Sequence, residues 1–442
     1  MSGRTLLLTV GTGNTEDVEN SLLNPLRKSM AEGGWDTIVL LPSQETVGTA
    51  ARLRDEGVEG LIVVNPLPDK GDEYDPDRCF VHFDQVLADL LHQGRHPRDI
   101  TADITRGTKA MSAALALAAT RHEVPTLRYV TGDQRDVRHM VVPGTEAIHD
   151  GTTLQLSVRR RLDAARRLMQ HGGFAGVETL LDGDDGAMPA DLAAWVQAAR
   201  ALAECYSAWD RLDFDAAAGL AEIAAAMTPP PGWDALAVDA AAVAWLRDIA
   251  SVDAGCEAGM RADDRPAFAA HLGRLCAEII ANGRRRVIQQ QFEDAAIRAY
   301  RCTELIGQAR LFTLGHDSER MSVENPVIAK FVKEKRKDSA LKPNRDGTYP
   351  FGREWVARVL RRLGDPLGDA LFDFGKEDAV KARNLSLLIH GFRATGPKDS
   401  AILVDQFSRL EGFLRQAFGE DAGRWLDLAA RVPPAGPAVP AP

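Results

Sequence analysis

Thr5-Leu6-Leu7-Leu8-Thr9-Val10-Gly11-Thr12-Gly13-Asn14 decides the fold class of this chain. Apolar or β-branched residues run without alternation and stop at a small, polar, glycine-bearing loop. A run with no polar face predicts a strand covered on both sides, as in a parallel sheet flanked by helices. The pattern then repeats. A helix is expected to about Ala31, and Thr37–Leu41 and Gly60–Val64 read as further strands with helical segments between. A helix around Cys79–Leu91 leads to Asp99–Ile104, the loop Thr105-Arg106-Gly107-Thr108-Lys109 and a helix over Ala110–Arg121. Thr126–Val130 is the next strand, and Arg138–Val142 is expected as a last edge strand. This alternation predicts an α/β Rossmann-like, doubly wound parallel sheet over residues 1–150.

From residue 151 the pattern becomes an all-α region. Residues 158–285 are rich in Ala, Leu, Arg and Asp, carry helical periodicity and are broken at Gly172-Gly173, Gly183–Gly186 and Pro229-Pro230-Pro231-Gly232. Such breaks predict several helices, and the alanines speak for helix propensity rather than chemistry. Residues 151–285 are therefore expected as a helical intermediate region and 286–428 as a final helical domain. The proline-rich end, 429–442, is expected to be disordered. No internal repeat of fixed period occurs.

The 442 residues suggest two or three domains, and a 45% apolar fraction suffices for full cores. A formal charge of −10 argues against a protein that coats nucleic acid broadly, while leaving a local basic groove open. The five cysteines are scattered and no Cys-x-x-Cys occurs, so neither a disulfide framework nor a zinc site is indicated. The first apolar run is too short for a signal peptide or membrane span, and a soluble, cytoplasmic protein is expected.

Two loops carry ligand chemistry. Gly11-Thr12-Gly13-Asn14 follows the first strand and Thr105-Arg106-Gly107-Thr108-Lys109 follows a central one. In open parallel sheets ligands bind beyond the strands' carboxyl ends, near helix N-termini. Glycines allow close backbone approach, threonines donate hydroxyls, and Lys109 places a cation at a helix start, where the helix itself does not favour one. An anionic ligand resolves that conflict; a purely structural turn is the competing reading. A dinucleotide site is disfavoured, because Glu16 stands where the third glycine of G-x-G-x-x-G belongs. No acid closes the second strand either, since Pro42 and Ser43 follow Leu41. No G-x-x-x-x-G-K-[ST] motif occurs.

A second constellation lies in Ala382-Arg383-Asn384-Leu385-Ser386-Leu387-Leu388-Ile389-His390-Gly391, which reads as the end of a helix stopped by Gly391. Arg383 and His390 are separated by nearly two turns, so they share a face about 10 Å apart along the axis. A histidine near neutral pKa can move protons on reacting oxygens, and an arginine can hold a phosphate. RNA needs no metal for cleavage when its own 2′-hydroxyl attacks. The separation is too long for one helix to clasp one phosphate. Two antiparallel copies in a two-fold dimer would bring Arg383 of one chain to His390 of the other, with Leu387 at the dyad. A chance pair at a helix end is the plain alternative. Glu304, an acid in an apolar stretch, reads as solvated or paired with an arginine.

Between Lys330 and Arg362 basic residues dominate, interleaved with Phe331, Tyr349, Phe351 and Trp355, and Arg284-Arg285-Arg286 is a shorter basic run. Such a mixture suits base stacking and phosphate contact, or else a solvated helix-loop-helix.

These residues together resemble the CARF–HEPN ribonucleases of type III CRISPR systems. Leu6–Gly13 looks like the first strand and ligand loop of a CARF domain. Asp103-Ile104-Thr105-Arg106-Gly107-Thr108-Lys109-Ala110-Met111-Ser112 is similar to that domain's second signature. Arg383-Asn384 and His390 fit the HEPN pattern of an Arg, a polar residue and four to six spacers in all before a His; here there are six. Ala299–Leu305 is like the earlier HEPN helix. The resemblance covers about 1–150 and 290–425, not the middle helical segment. It implies a CARF domain followed by an all-α region ending in a HEPN domain. It further implies a homodimer that binds cyclic oligoadenylate (tetra- or hexa-adenylate) across its CARF domains and, once activated, cuts single-stranded RNA without a metal or cofactor. A 2′,3′-cyclic phosphate product is expected. Arg383, Asn384 and His390 would be catalytic, and Gly11, Thr12, Gly13, Asn14, Thr105, Arg106, Gly107, Thr108 and Lys109 would line the activator pocket. Some CARF domains also cleave their activator, and Thr105 or Thr108 would be placed for that here. A non-catalytic CARF sensor whose helical half binds a partner or nucleic acid is the alternative from another class; a nucleotide-dependent metabolic enzyme is a weaker one.

Overall fold

The computed structural model of the chain describes residues 3–12, 18–56, 59–132, 134–135, 141–142, 144–182, 188–335, 341–376 and 396–433. Two compact units are present. One comprises Met1–Arg161 with Asp185–Leu192, the other Leu162–Asp184 with Ala193–Pro442.

The first unit holds strands β1 (Thr5–Val10), β2 (Thr37–Pro42), β3 (Leu61–Val64), β4 (Ile100–Asp103), β5 (Thr126–Gly132) and β6 (Glu146–Thr152). Their order is β3-β2-β1-β4-β5-β6. The first five pair in parallel and β6 runs antiparallel to β5. Helices α1 (Asn24–Ala31), α2 (Val47–Asp55), α3 (Pro76–His92) and α4 (Lys109–Arg121) connect them. The expected Rossmann-like α/β sheet is thus present. Its last edge differs from expectation. Most of 138–142 lies outside the described residues, Val141 makes only an isolated bridge to Arg135, and β6 forms the edge. The β6 sequence, Glu-Ala-Ile-His-Asp-Gly-Thr, has no apolar alternation to announce a strand. Pairing with β5 holds it, reinforced by Arg128 donating twice to Asp150 (2.8 and 2.9 Å).

All six residues of β1 are buried, which explains its unbroken apolar run. Leu7, with Val39, Ile100 and Ala102, packs on Phe83 and Leu87 of α3 and Met111 and Leu115 of α4. Leu6 and Leu8, with Ile38 and Leu40, pack on Leu26 and Met30 of α1 and Leu53 of α2. Each buried Leu contributes about 1.5–3 kcal/mol. The two-sided core fixes where β1 and β4 end, and hence where their loops emerge.

Thirteen further α-helices are described: α5 (Leu154–Gln170), α6 (Phe174–Leu181), α7 (Ala190–Asp210), α8 (Phe214–Ala225), α9 (Ala240–Ala250), α10 (Ala254–Asp263), α11 (Arg265–Ile288), α12 (Phe292–Thr313), α13 (Pro326–Lys335), α14 (Arg353–Arg362), α15 (Pro366–Phe374), α16 (Ser400–Phe418) and α17 (Glu420–Ala429). Helix α11 is the spine of the second unit and runs unbroken through residue 285, where a domain boundary was expected. Two of its glycines let neighbours close in. A Cβ on Gly273 would lie 2.3 Å from the Trp425 ring of α17, and one on Gly283 would lie 2.1 Å from the Phe407 ring of α16. No helix among the described residues is long and apolar enough to cross a membrane.

Candidate functional site

The sheet changes its direction of winding between β1 and β4. From β1 the chain moves outward to β2 and β3, then returns to lay β4 on the other side of β1. The carboxyl ends of these two strands therefore open at a topological switch point, where open α/β sheets take ligands. Gly11-Thr12 leaves the sheet there from β1, and Thr105–Lys109 leaves it from β4.

The structure brings the two loops together backbone to backbone. A Cβ on Gly11 would come 2.8 Å from the Gly107 Cα. Gly107 has φ +150°, and a Cβ there would meet the Thr9 hydroxyl oxygen at 2.9 Å. The Thr9 hydroxyl donates to the Arg106 carbonyl. The end of β1 is also tied to the loop after β2, because the Thr46 hydroxyl donates to the Val10 carbonyl at 2.6 Å. Thr108 is the N-cap of α4: its hydroxyl accepts the Met111 N–H (3.1 Å) and donates to the Glu73 carbonyl. Thr105 donates its N–H to the Asp103 carboxylate (2.7 Å), and its hydroxyl accepts the Val130 N–H (2.8 Å). Both threonine hydroxyls thus hold the loop in shape. Thr12 and Lys109 are exposed. Gly13 and Asn14 lie outside the described residues.

Positive charge gathers at this opening. Lys109 begins α4, whose N-terminus already favours anions. Arg106 is half-buried, and its Nε has no hydrogen-bond partner among the described residues. Burial pushes the Arg106 guanidinium pKa down, opposed by nearby Tyr129, Asp103 and Glu146. An arginine stays charged under such a shift, so its unmet donor calls for an acceptor. Below the opening, burial pushes the Asp103 carboxyl up, against hydrogen bonds from Ser29 and Thr105 and the charge of Arg128. The arrangement suits an anionic ligand bearing several acceptors.

In the helical unit, Arg383, Asn384, Leu387 and His390 lie outside the described residues. The described residues of this unit correct part of the sequence reading. Phe331 and Phe351 are buried and meet edge to face at 5.9 Å, and Phe331 meets Trp355 the same way at 5.7 Å. Phe331 and Phe351 are core, not exposed stacking platforms, while Tyr349 and Trp355 are half-buried; the interleaving of the two phenylalanines with lysines reflects an amphipathic helix and a covering loop. Arg362 pairs with Glu334 (2.8 Å), and Arg358 and Arg361 pair with Glu354 and Asp369. The Arg284-Arg285-Arg286 run is spent internally, on Glu411 (2.5 Å) and on both oxygens of Asp210. Glu304 pairs with Arg301 at 2.6 Å, as one of its two readings expected. Tyr300 lies 5.2 Å beneath the Arg353 guanidinium.

Sequence reasoning missed the groups that build the site from behind. Ser29 of α1 donates to Asp103 across 74 positions, and Glu73 and Thr46 pin the loops through single hydrogen bonds. No spacing announces such contacts. Only the acid of Asp103-Ile104-Thr105, a carboxylate at a buried strand end, was a visible signal.

Residues 267–414 match the family model of the Csm6 HEPN domain. That interval contains positions 383, 384 and 390. Among solved structures, Enterococcus italicus Csm6 bound to cyclic hexa-2′-fluoro-hexa-dAMP aligns over 98% of this chain and 100% of that one. Identity there is 12% and the TM-score 0.46. No curated protein matches the chain.

Proposed function

We propose that the chain is a CRISPR-associated endoribonuclease for single-stranded RNA, switched on by cyclic oligoadenylate. The observation that carries this reading is the Csm6 HEPN match over 267–414, which encloses Arg383, Asn384 and His390. The opening at the switch point, with Gly11 against Gly107 and Arg106 and Lys109 beside them, supports the sensing half. Phosphates of the ring would meet Arg106, Lys109 and the free N–H groups of α4. Close backbone approach at the two glycines leaves room for its sugars.

In the catalytic half, the 2′-oxygen of RNA attacks the adjacent phosphorus and the 5′-oxygen leaves, giving a 2′,3′-cyclic phosphate. His390 moves the proton, Arg383 offsets charge gathering on the phosphate, and Asn384 orients either. The two residues serve one phosphate only across a homodimer, each chain supplying half. The ring acts by binding the active dimer more tightly than the inactive one.

A labelled single-stranded RNA incubated with EDTA, with and without cyclic tetra- or hexa-adenylate, tests the proposal. Cleavage that needs one of the rings and tolerates EDTA is expected. A protein that binds a ring yet cuts no RNA would be a sensor instead.

A further inference from the structure

A half-open cavity of about 350 Å³ lies in the helical unit between α8, α10, α11 and α12. That volume falls at the small end of small-molecule sites. Its walls are apolar and partly aromatic, including Phe214, Phe268, Leu275 and Leu305. Two polar groups face it from α11. His271 is only 7% exposed, and its Nδ1 has no hydrogen-bond partner among the described residues. Glu278 is fully buried; its oxygens accept the indole N–H groups of Trp209 (3.0 Å) and Trp245 (2.5 Å), leaving one lone pair on each.

Two arginines beside it are already paired. Arg301 is held by Glu304 at 2.6 Å and Arg285 by Asp210 at 2.8 Å, and Glu257 stands exposed at the rim. Burial lowers the His271 pKa to about 4, so the ring is neutral and offers one donor and one acceptor nitrogen. The cavity therefore favours a neutral ligand with apolar faces. Burial raises the Glu278 carboxyl to about 7, so near neutral pH it accepts or, when protonated, donates, and the ligand's edge must carry mixed donors and acceptors for Glu278 and His271. Seven residues of helix separate these two by about 10 Å along the axis, so the ligand must extend along α11. Nucleobases combine flat apolar faces with an edge of mixed donors and acceptors, and the larger purines reach further along it.

We infer that this cavity binds a purine base, presented by a free nucleoside or by one unstacked base of single-stranded RNA, with its polar edge toward His271 and Glu278. In its RNA form the inference deepens the ribonuclease reading; in its nucleoside form it stands without that reading. Binding read by calorimetry on the full-length protein tests it. The probes are adenosine, guanosine, cytidine and uridine, then 2′-O-methyl oligonucleotides, which cannot be cut by 2′-hydroxyl attack, so loss of catalysis and loss of binding are separate results. A purine probe should bind, and Leu275→Trp, which fills the cavity, and His271→Phe, which removes the ring nitrogens, should each weaken it at least about tenfold. Binding by nucleosides identifies the free ligand as source, and binding by purine oligonucleotides alone identifies RNA. No binding by any purine probe at millimolar concentration would overturn the inference. So would binding that both folded variants retain.

Discussion

Gly11 and Gly107, almost a hundred positions apart in the chain, touch through their backbones: a Cβ on the first would lie 2.8 Å from the Cα of the second. Two loops that look unremarkable singly form one floor at the switch point. Gly11→Ala should force them apart and cost about 1–3 kcal/mol in stability. Ring binding should weaken by more than that stability loss explains, when calorimetry is done well below the melting temperature. Unchanged affinity would remove the two glycines from the pocket.

Lys109 is exposed at the start of α4, so its loss should touch binding and not folding. Lys109→Ala is expected to raise the half-activating ring concentration about tenfold, close to 1.4 kcal/mol. Cleavage at saturating ring should match the parent. A titration of RNA cleavage against ring concentration separates the two quantities, and a lower plateau with an unchanged midpoint would contradict the pocket assignment.

Asp103 accepts the Thr105 N–H and the Ser29 hydroxyl inside the sheet unit. Asp103→Ala leaves both donors buried without a partner and should cost about 1–3 kcal/mol or more in denaturant unfolding. Asp103→Asn keeps the acceptor for Thr105 and removes the buried charge, so it should be much milder. Equal losses in both variants would show that the charge, not the hydrogen bonds, matters there.

Glu278 supplies a pH signature. Burial raises its carboxyl to about 7, above its unfolded value, with the Trp245 and Trp209 indoles and Arg285 acting against burial and Asp210 with it. Between the unfolded value of 4.5 and about 7 the folded state holds a proton that the unfolded state has lost, so this group's contribution falls as pH rises across that window and levels off above it. Melting temperatures of the parent and Glu278→Gln, measured from about pH 5 to about pH 8, should shift in favour of the glutamine variant as pH rises to about 7 and then level off. His271, depressed to about 4, titrates below that window in the folded state. A pH-independent difference would contradict the buried, raised carboxyl.

Much of the sheet was legible because burial on both faces writes itself into composition. Leu6-Leu7-Leu8 has no polar partner on either side, and each Leu is fully buried. Strand β6 was not legible, because backbone pairing with β5, reinforced by Arg128 and Asp150, holds it rather than apolar alternation. Gly11, Arg106, Gly107 and Lys109 were readable as a ligand site from their place after strands. The partners that shape them, Ser29, Thr46 and Glu73, were not, since contacts between distant elements leave no local pattern. Phe331 and Phe351 misled for a related reason. Aromatics among lysines look the same in sequence whether they face solvent or a core, and here they are core. His271 and Glu278 carried no signal beyond a spacing of seven on a long helix.

The central claim is a catalytic site shared by two chains and commanded by a ring. Arg383→Ala and His390→Ala, each expected to be inactive alone, should be co-expressed and assayed on labelled RNA with and without the activating cyclic oligoadenylate. A mixed dimer retains one intact site, made from the Arg383 of one variant and the His390 of the other. With random pairing, about a quarter of parental cleavage should return, and only when the ring is present. A mixture as inactive as its components, or one that cuts equally without the ring, would contradict the account.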